Sequence, residues 1–331
     1  MKQPPAEATA RACANIALAK YWGKADVKKN IPAVPSISLT LDQLVTETRV
    51  RFDTKLTEDE VRLDGRRATA DEKDRVVKML NTIRREAGLR ARAHVASHNH
   101  FPTAAGLASS ASGFAALATS ASAAAGLRSS PRKLSALARA SSASAARSIF
   151  GGFAELPAGV RGQGDLCARP IAAPDRWNVR LVIAVTERGP KKVGSTEGME
   201  RSRKTSPFYD AWVTDAPKWA RQIKRAIKEG DLDTLGAAME RSTLAFHCCA
   251  MTSDPAILYW APATLAAMAS VRGLRERGVS AWATMDAGPH VKALCGVGDA
   301  TRVRQALDRT PGVTRTWVAK PGPAVEVEVR S

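Results

Sequence analysis

The apolar positions along the chain switch repeatedly between the spacing of strands and the spacing of helices. Alternating or β-branched stretches predict strands at residues 9–13, 45–52, 90–95, 179–185, 279–284, 291–295 and 324–329. Apolar side chains at intervals of three and four predict helices within residues 114–121, 134–138, 207–239 and 261–277. Gly126 and Gly278 are typical helix stops, and Ser130 followed by Pro131 is a typical helix start. Strands and helices in this mixed order favour an α+β fold over a doubly wound sheet.

The length and composition indicate a folded protein with two domains. The chain has 331 residues, of which 44% are hydrophobic and 25% are charged, and this is an ordinary globular composition. Residues 157–175 are rich in Gly and Pro. We therefore place the domain boundary at the end of this segment, with domains at residues 1–176 and 177–331.

The cysteines and the polar residues bear on the cellular compartment. Five cysteines are scattered without C-x-x-C spacing, which favours a reducing cytoplasm over a disulfide framework. His247, Cys248 and Cys249 are adjacent and lack a second pair at ligand spacing, so we do not expect a zinc site there. The N-terminus carries no apolar stretch of signal-peptide length. Residues 93–127 lack charged side chains, but polar residues interrupt the run, so we expect no membrane span.

The net charge of +18 raises the question of a polyanionic partner. Much of the excess lies on apparent helix faces, such as residues 84–92 and 218–228, where aromatic side chains are scarce. Aromatic residues that stack on bases are typical of single-strand binding sites. We therefore interpret the basic runs as solvated helix faces and expect no nucleic-acid partner, while a basic RNA-binding module stays open as an alternative of a different class.

The stretch from Asn99 to Gly113, NHFPTAAGLASSASG, is the most informative part of the sequence. Its small residues allow backbone N–H groups to approach an anion, its serines supply hydroxyl groups, and the following helix favours negative charge at its N-terminus. These features indicate a phosphate-binding loop, although an Ala/Ser-rich connector that packs closely is the alternative. The stretch has neither the Lys-Ser/Thr pair of a Walker loop nor the glycine pattern of a dinucleotide fingerprint.

This stretch resembles the ATP-binding loop of the GHMP small-molecule kinase superfamily and, within it, that of the mevalonate diphosphate decarboxylases. The resemblance implies ATP and Mg²⁺ as cofactors, with Mg²⁺ held by nucleotide phosphates and by a hydroxyl group of Ser109 or Ser110. It also implies nucleotide contacts from Ser97, Asn99, Pro102, Ala104, Ala105, Gly106, Leu107, Ala108, Ser109, Ser110 and Ser112.

A second segment, NIALAKYWGK at residues 15–24, resembles the substrate pocket of the same family. The resemblance implies that Lys20, Tyr21 and Lys24 neutralise phosphate oxygens, as two compact cations and a hydroxyl donor. It further implies that Asn15 orients the reacting end of the substrate. Two surface lysines and a tyrosine after a strand are the alternative interpretation.

A third segment, SSASAARSIFGG at residues 141–152, also resembles this pocket. Ser144 and Arg147 are three residues apart, so they share one face if the segment is helical. The resemblance implies that Ser142 and Ser144 donate hydrogen bonds to the diphosphate. Because a guanidinium matches a carboxylate with two hydrogen bonds, Arg147 is the candidate for gripping the carboxylate that leaves as CO₂. A helix-terminal arginine in a surface ion pair is the alternative.

The segment KKVGSTEGM places Ser195 where the family contacts its substrate. Thr196 stands where many bacterial relatives carry an arginine, so this segment supplies one cation fewer to the expected diphosphate site. Lys191, Lys192 and Arg203 are candidates to compensate for it.

The segment TMDAGP places Asp286 at the end of a predicted strand. The resemblance implies that Asp286 is the catalytic acid residue, poised against the tertiary hydroxyl group of the substrate, whereas a turn-forming aspartate is the alternative. His100 and His290 stand where relatives commonly carry Asn, and we interpret both as structural residues.

The resemblance spans residues 15–289 and implies a two-domain GHMP-like fold. It implies a ribosomal-S5-like N-terminal domain, a ferredoxin-like C-terminal domain and an active site in the cleft between them. The implied reaction is ATP-dependent decarboxylation of mevalonate 5-diphosphate to isopentenyl diphosphate, with release of ADP, phosphate and CO₂, in a cytoplasmic homodimer without a membrane partner. A mevalonate monophosphate decarboxylase and a mevalonate 3-kinase are the nearest alternatives.

Overall fold

A computed structural model of the protein describes residues 7–101, 109–186 and 193–330. Fourteen strands lie in these ranges: β1 (Glu7–Ala19), β2 (Lys24–Asp26), β3 (Ile31–Pro32), β4 (Ser36–Asp53), β5 (Glu60–Leu63), β6 (Arg66–Arg67), β7 (Arg92–Asn99), β8 (Phe153–Leu156), β9 (Arg169–Ala172), β10 (Val179–Val185), β11 (Ala281–Met285), β12 (Val291–Gly296), β13 (Arg315–Ala319) and β14 (Glu326–Arg330). Eight α-helices accompany them: α1 (Ala70–Ala87), α2 (Ser109–Ala124), α3 (Pro131–Ser141), α4 (Ser195–Thr205), α5 (Tyr209–Glu229), α6 (Leu232–Met251), α7 (Pro262–Glu276) and α8 (Ala300–Asp308). Two 3-10 helices span Ala143–Ile149 and Val297–Asp299. None of the described helices combines the length and the apolar character that a bilayer crossing demands.

The larger sheet has eight strands, in the order β14–β1–β4–β7–β5–β6, with β8 joined to β4 and β9 joined to β8. Strand β4 is 18 residues long, and its first part pairs with β8 while its second part pairs with β7. Strands β5 and β7 run parallel, and the other pairs of this sheet run antiparallel. Helix α2 packs on β1 and β4 and is buried nearly all round, because its small Ala and Ser side chains let helix and sheet approach closely.

The smaller sheet is antiparallel and has the order β11–β12–β10–β13. Along the chain, β10 is followed by helices, then by β11 and β12, then by α8 and finally by β13. In the sheet, β10 lies between β12 and β13. This order is the ferredoxin-like arrangement. Helices α7 and α8 cover one face, and α5 and α6 cover the other. On the second face, Ile16 and Leu18 of β1 pack in one cluster with Leu181 and Ile183 of β10, so the two sheets share a core.

Several local predictions are confirmed. Strand β10 coincides with the predicted apolar run, and the α+β class is that of the observed fold. Ser130 caps α3 by accepting a hydrogen bond from the backbone N–H of Lys133. Gly126 and Gly278 have φ angles of 75° and 80°, which is the left-handed conformation that ends helices.

Several observed elements, such as α1, β8, β9 and β13, are not among the predicted ones, and three further differences concern the site and the domains. Helix α4 is not predicted, and the helical region expected at residues 207–239 is divided at Gly230 and continues to Met251. Strand β14 pairs with β1, with Glu7 opposite Arg330. The last strand therefore completes the larger sheet. The division at residues 176 and 177 had placed these residues in the second domain, and the pairing of β14 with β1 contradicts that placement.

Candidate active site

A cavity of about 440 Å³ opens where β1, the first 3-10 helix, the N-terminus of α4 and the loop after β11 meet. It brings together the residues predicted to act on a substrate: Asn15, Lys20, Tyr21, Lys24, Ser142, Ser144, Arg147, Ser195 and Asp286. The charged side chains among the described lining residues are four cations and one anion: Lys20, Lys24, Arg75, Arg147 and Asp286. This excess of positive charge suits a polyanionic ligand.

Irregular backbone at the end of β1 places several of these side chains. The strand shifts its register against β4 just before Asn15 and again just before Ala19, and such bulges re-aim side chains beside functional sites. Gly23 follows with φ +111°, and a Cβ atom there would collide with the hydroxyl group of Tyr209. The turn that leads to Lys24 therefore requires glycine.

Two lysines hold the carboxylate of Asp286, which directly follows β11. Its Oδ1 accepts a hydrogen bond from Lys20 Nζ at 2.9 Å, and its Oδ2 accepts one from Lys292 Nζ at 3.1 Å. Both lysines are buried, whereas the Asp286 side chain is 29% exposed. Burial raises the pKa of Asp286, but the two ammonium groups together outweigh burial and hold this pKa below its ordinary value. Asp286 is therefore an ionised carboxylate throughout the neutral range.

The ammonium group of Lys20 is unusually acidic for a lysine. Its Nζ also donates to the carbonyl oxygen of Ala17 at 2.7 Å, so it is fixed between the strand and the carboxylate of Asp286. Burial lowers the pKa of Lys20 to about 8, with Asp286 acting against this shift and Lys292 adding to it. Such a group changes its charge close to physiological pH, as functional lysines often do.

Arg147 lies in the first 3-10 helix with its guanidinium buried beneath the cavity. Its Nε donates to Ser38 Oγ at 2.9 Å, its Nη1 to Ser36 Oγ at 2.5 Å and its Nη2 to Asn15 Oδ1 at 3.3 Å. These three acceptors are neutral, and a guanidinium has five N–H donors, so within the described ranges two donors and the whole positive charge are left for a ligand. Burial lowers the pKa of Arg147 to about 10, against the effect of Asp286. A guanidinium with free N–H donors can form two hydrogen bonds to an anionic group such as a carboxylate.

Lys24 contributes a second ammonium group to the cavity. Its Nζ donates to Asn30 Oδ1 at 2.7 Å and to Thr196 Oγ1 at 3.0 Å. Burial lowers the pKa of Lys24 to about 8, and Glu200 acts against this shift. Thr196, at the position of the missing arginine, therefore positions a cation of the cavity instead of supplying one.

Of the three residues expected to compensate for the missing arginine, Arg203 is the one that the structure describes. Arg203 lies in the last turn of α4, where it pairs with Glu200 at 3.1 Å, and it is not among the described residues that line the cavity. The expectation is therefore wrong for Arg203. Lys191 and Lys192 lie outside the described residues, and for them it stays a prediction.

Three hydroxyl groups of the cavity are available as phosphate donors. The hydroxyl of Tyr21 is buried and has no hydrogen-bond partner among the described residues. Burial raises its pKa above the ordinary value of a tyrosine, so it is a donor and not a phenolate. Ser142 Oγ and Ser144 Oγ lie 3.0 Å apart, where one anion can accept from both.

A second cavity of about 230 Å³ lies between α1, α2 and β7. Ser97 and Asn99 line it together with Ser109 and Ser110, and these two serines also line the first cavity, as does Arg75. The walls are apolar around the middle of α2 and polar at the junction of the two cavities. This arrangement fits a nucleotide whose phosphates reach the junction. Hydroxyl oxygens there are of the kind that Mg²⁺ accepts beside phosphate oxygens.

The other predicted nucleotide contacts are not found in the described cavities. Ser112 is fully buried, and its Oγ lies 2.6 Å from Thr46 Oγ1, so it joins α2 to β4 and does not face a ligand. This burial corrects the expectation that Ser112 contacts the nucleotide. The remaining residues of the loop lie outside the described ranges: Pro102, Ala104, Ala105, Gly106, Leu107 and Ala108.

Four residues that line the two cavities or contact their lining side chains are missing from the sequence-based prediction. Lys292 interrupts an otherwise apolar strand, and a charge in such a place is a signal that could have been used. Ser36 and Ser38 alternate with apolar residues at the start of β4 and look like ordinary strand positions. Arg75 lies on α1, where it resembles any solvated helix residue, but its Nη2 donates to the carbonyl oxygen of Ser141 at 3.1 Å.

The histidines take no part in the described cavities. His290 is buried and accepts a hydrogen bond from the backbone N–H of Thr186 at 3.3 Å. His100 is exposed, and its ring makes a T-shaped contact with the ring of His98. His247 is buried among aromatic side chains. No group of three His, Cys, Asp or Glu side chains that could hold a metal ion occurs within the described ranges.

Known proteins match both halves of the chain. Residues 12–167 match the family described as "Diphosphomevalonate decarboxylase-like N-terminal domain", and residues 181–317 match the "Mevalonate 5-diphosphate decarboxylase C-terminal domain". A diphosphomevalonate decarboxylase of Ganoderma lucidum is 36% identical over 276 residues, which are 76% of this chain and 68% of that protein.

Solved structures are similar over almost the whole chain. The crystal structure of mevalonate diphosphate decarboxylase from Staphylococcus aureus has a TM-score of 0.93 and 36% identity, with 98% of each chain covered. A structure of MDDEF in complex with MVAPP, AMPPCP and magnesium has a TM-score of 0.91 and 39% identity, and it covers 98% of this chain and 99% of that chain. These similarities confirm the predicted two-domain GHMP-like fold.

The fold, with a cationic cavity beside a second cavity, defines a two-domain enzyme of the GHMP class. Within this class, the chain belongs to the diphosphomevalonate decarboxylase family.

Proposed function

We propose that this chain catalyses the ATP-dependent decarboxylation of mevalonate 5-diphosphate to isopentenyl diphosphate, with release of ADP, phosphate and CO₂, in the mevalonate route to isoprenoids. The observation that carries the proposal is the presence of Asp286 and Arg147 at one cationic cavity. The carboxylate of Asp286 can accept a hydrogen bond from the tertiary hydroxyl group of the substrate. The guanidinium of Arg147 has free N–H donors that can bind the substrate carboxylate. Membership of the family, and the similar structure with MVAPP and AMPPCP bound, support the same reaction.

The phosphate end of the substrate is assigned to Lys24, Tyr21, Ser142, Ser144 and Ser195. These residues line the first cavity from three separate segments of the chain. An ammonium group and several hydroxyl donors together match the oxygens of a diphosphate. Because Lys24 already donates two hydrogen bonds within the protein, one N–H of its ammonium group is left for the substrate.

The nucleotide end is assigned to Ser97, Asn99, Ser109 and Ser110, with Arg75 at the junction of the cavities. Arg75 bridges both cavities, so its charge lies where the terminal phosphate of a nucleotide meets the substrate. Ser109 or Ser110 is the hydroxyl ligand that we assign to Mg²⁺.

The reacting end is assigned to Asp286, Lys20, Arg147 and Asn15. ATP, when bound, supplies the phosphoryl group that turns the tertiary hydroxyl into a leaving group. Asp286 orients this hydroxyl, with its own carboxylate fixed by Lys20, and accepts the proton late, because phosphoryl transfer has a loose transition state. Because the two lysines hold the pKa of Asp286 low, the carboxyl group passes this proton on to an oxygen of the phosphate group, and its restored negative charge stabilises the positive charge that develops at the same carbon as phosphate leaves.

Arg147 acts on the opposite side of that carbon. Its guanidinium holds the substrate carboxylate until the electrons of the breaking carbon–carbon bond form the new double bond and CO₂ departs. Asn15 fixes this guanidinium through its Oδ1, while its own Nδ2 donates to Ser148 Oγ at 2.7 Å and to the carbonyl oxygen of Ser144 at 3.0 Å.

The finer organisation follows from the resemblance. We infer domains that divide near residues 176 and 177, except that β14 returns to the larger sheet, with the active site in the cleft between the domains. We also infer a homodimer in the cytoplasm. The five cysteines are free, which supports a reducing compartment.

Equal amounts of ADP and CO₂ should form when the protein turns over mevalonate 5-diphosphate with ATP and Mg²⁺. Mevalonate and its monophosphate, assayed side by side, are the matched controls. ADP without CO₂ would identify a kinase that stops after phosphorylation, and preference for the monophosphate would identify the sister decarboxylase. No turnover of any of the three, together with salt-dependent RNA binding, would favour the RNA-binding alternative.

Raising the pH through about 8 should lower kcat/KM for the substrate, because Lys20 and Lys24 lose their protons there. Both pKa values are lowered from 10.5, so between about 8 and 10.5 the unfolded chain binds more protons than the folded chain. The contribution of these two groups to stability therefore rises with pH in that window. Initial rates and urea unfolding are measured at each pH, to test whether kcat/KM falls while the contribution to the free energy of unfolding rises. A fall of both quantities with pH would contradict the prediction.

Arg147→Lys should lower kcat by roughly 10²-fold or more, because an ammonium group cannot reproduce the two-pronged geometry of a guanidinium and misplaced reacting groups cost about this much. The KM for ATP should stay within a few-fold. Steady-state kinetics and CO₂ release measure the effect, with Arg203→Lys on α4 as the matched control. Activity of Arg147→Lys close to that of the parent protein would make Arg147 a structural residue.

A further inference from the structure

Lys292 is a buried cation in the middle of the smaller sheet. It lies on β12, opposite Ile183 of β10 on one side and Thr284 of β11 on the other. Its side chain is 2% exposed. Alternate residues of a strand share a face, and the neighbour on this face, Leu294, packs in the core that joins the two sheets. An ammonium group has therefore been placed at the margin of an apolar core.

The packing does not explain this charge. Taking an ammonium group out of water costs several kcal/mol, and replacing a buried ion pair with apolar residues of similar volume is often neutral or stabilising. Within the described ranges, the polar contact recorded for Lys292 Nζ is Asp286 Oδ2 at 3.1 Å. Lys292 is also not among the described residues that line either cavity, so it is not placed to touch a substrate.

We propose that Lys292 is a positioning residue for Asp286. It fixes the Oδ2 atom from beneath the cavity, while Lys20 fixes the Oδ1 atom from the end of β1. With both oxygens anchored, the carboxylate keeps one orientation towards the cavity and readily returns to its ionised form after it has passed on a proton. This inference rests on the proposed function, because Lys292 affects the reaction only if Asp286 is the catalytic carboxylate.

The charges that face Asp286 come from four elements. Lys20 and Lys292 contact it directly, and Arg147 in the 3-10 helix and His247 on α6 interact with it at longer range. Burial lowers the pKa of His247 to about 3, with the charge of Lys20 adding to the shift, so this ring is neutral and cannot replace Lys292. Loss of Lys292 therefore removes one of two direct cations, and the pKa of Asp286 should rise.

The test compares Lys292→Met, which keeps the length of the side chain without its charge, with Lys292→Arg, which keeps the charge. For Lys292→Met we expect kcat to fall roughly 10²-fold, as for other misplaced groups, with little change in the KM for ATP. The acid limb of the kcat profile should move up by about 1 pH unit or more, the usual effect of one close charge. Lys292→Arg should restore the acid limb. Because Lys292→Met removes one partner of a buried ion pair and leaves the other, its midpoint of urea unfolding should fall, so kcat is compared under conditions where both proteins are fully folded.

Lys224→Met is the matched control, because Lys224 on α5 pairs with the partly buried Glu155 on β8 at 2.5 Å and does not line the described cavities. It should leave the acid limb unchanged. If Lys292→Met fails to fold, Lys292→Gln replaces it in the same measurements. An unmoved acid limb in the variants that fold, or a kcat of fully folded Lys292→Met equal to that of the parent protein, would overturn the proposal.

A second measurement does not depend on turnover. The ¹³C signal of the Asp286 carboxyl group, assigned with Asp286→Asn, should titrate at higher pH in Lys292→Met than in the parent protein. The same titration in both would overturn the role of Lys292 even if the enzyme is active. A clear shift in a protein that turns over no mevalonate derivative would instead refute the proposed function and leave the pairing of Lys292 with Asp286 intact.

Discussion

The concentration of positive charge around one carboxylate is the constraint on which the site depends. Lys20 and Arg147 are almost fully buried, and burial lowers the pKa of both, so the free protein carries charges that its own side chains only partly balance. Among the described residues that line the first cavity, Asp286 is the one that supplies negative charge. A polyanionic substrate supplies the remaining negative charge. The same electrostatic attraction therefore binds the substrate and brings it to the reacting groups.

This charge can be held in place because the two sheets share a core. Strand β1 contributes apolar side chains to that core and is followed directly by Lys20, while β12 contributes Leu294 and carries Lys292. The two lysines approach Asp286 from different sheets, and the shared apolar cluster fixes the distance between those sheets. The antiparallel pairing of β14 with β1 adds a second connection, since the end of the chain closes the edge of the larger sheet.

Short contiguous motifs made much of the site predictable. Asn15 and Lys24 lie in one string of ten residues, and Asp286 lies in a strand-end turn, so each was visible without knowledge of the fold. Arg75 was not visible, because it occupies an ordinary helix position and reaches the site only through distant partners. Lys292 gave one local signal, a charge in an otherwise apolar strand, but its partner Asp286 is set by the fold. The same limit applies to the fold: local periodicity predicts a strand at the end of the chain, but long-range pairing decides which sheet receives it.

The role of Asp286 as the charge that serves both halves of the reaction is most directly tested by the kinetics of Asp286→Asn. This change keeps the size and much of the hydrogen bonding but removes the charge. The account predicts a fall in kcat of roughly 10²–10⁴-fold, towards the upper end of the range for catalytic bases, with the KM for ATP nearly unchanged. A variant that keeps its kcat and raises only KM would show that Asp286 is a binding residue or a turn former, and the mechanism built on it would be wrong.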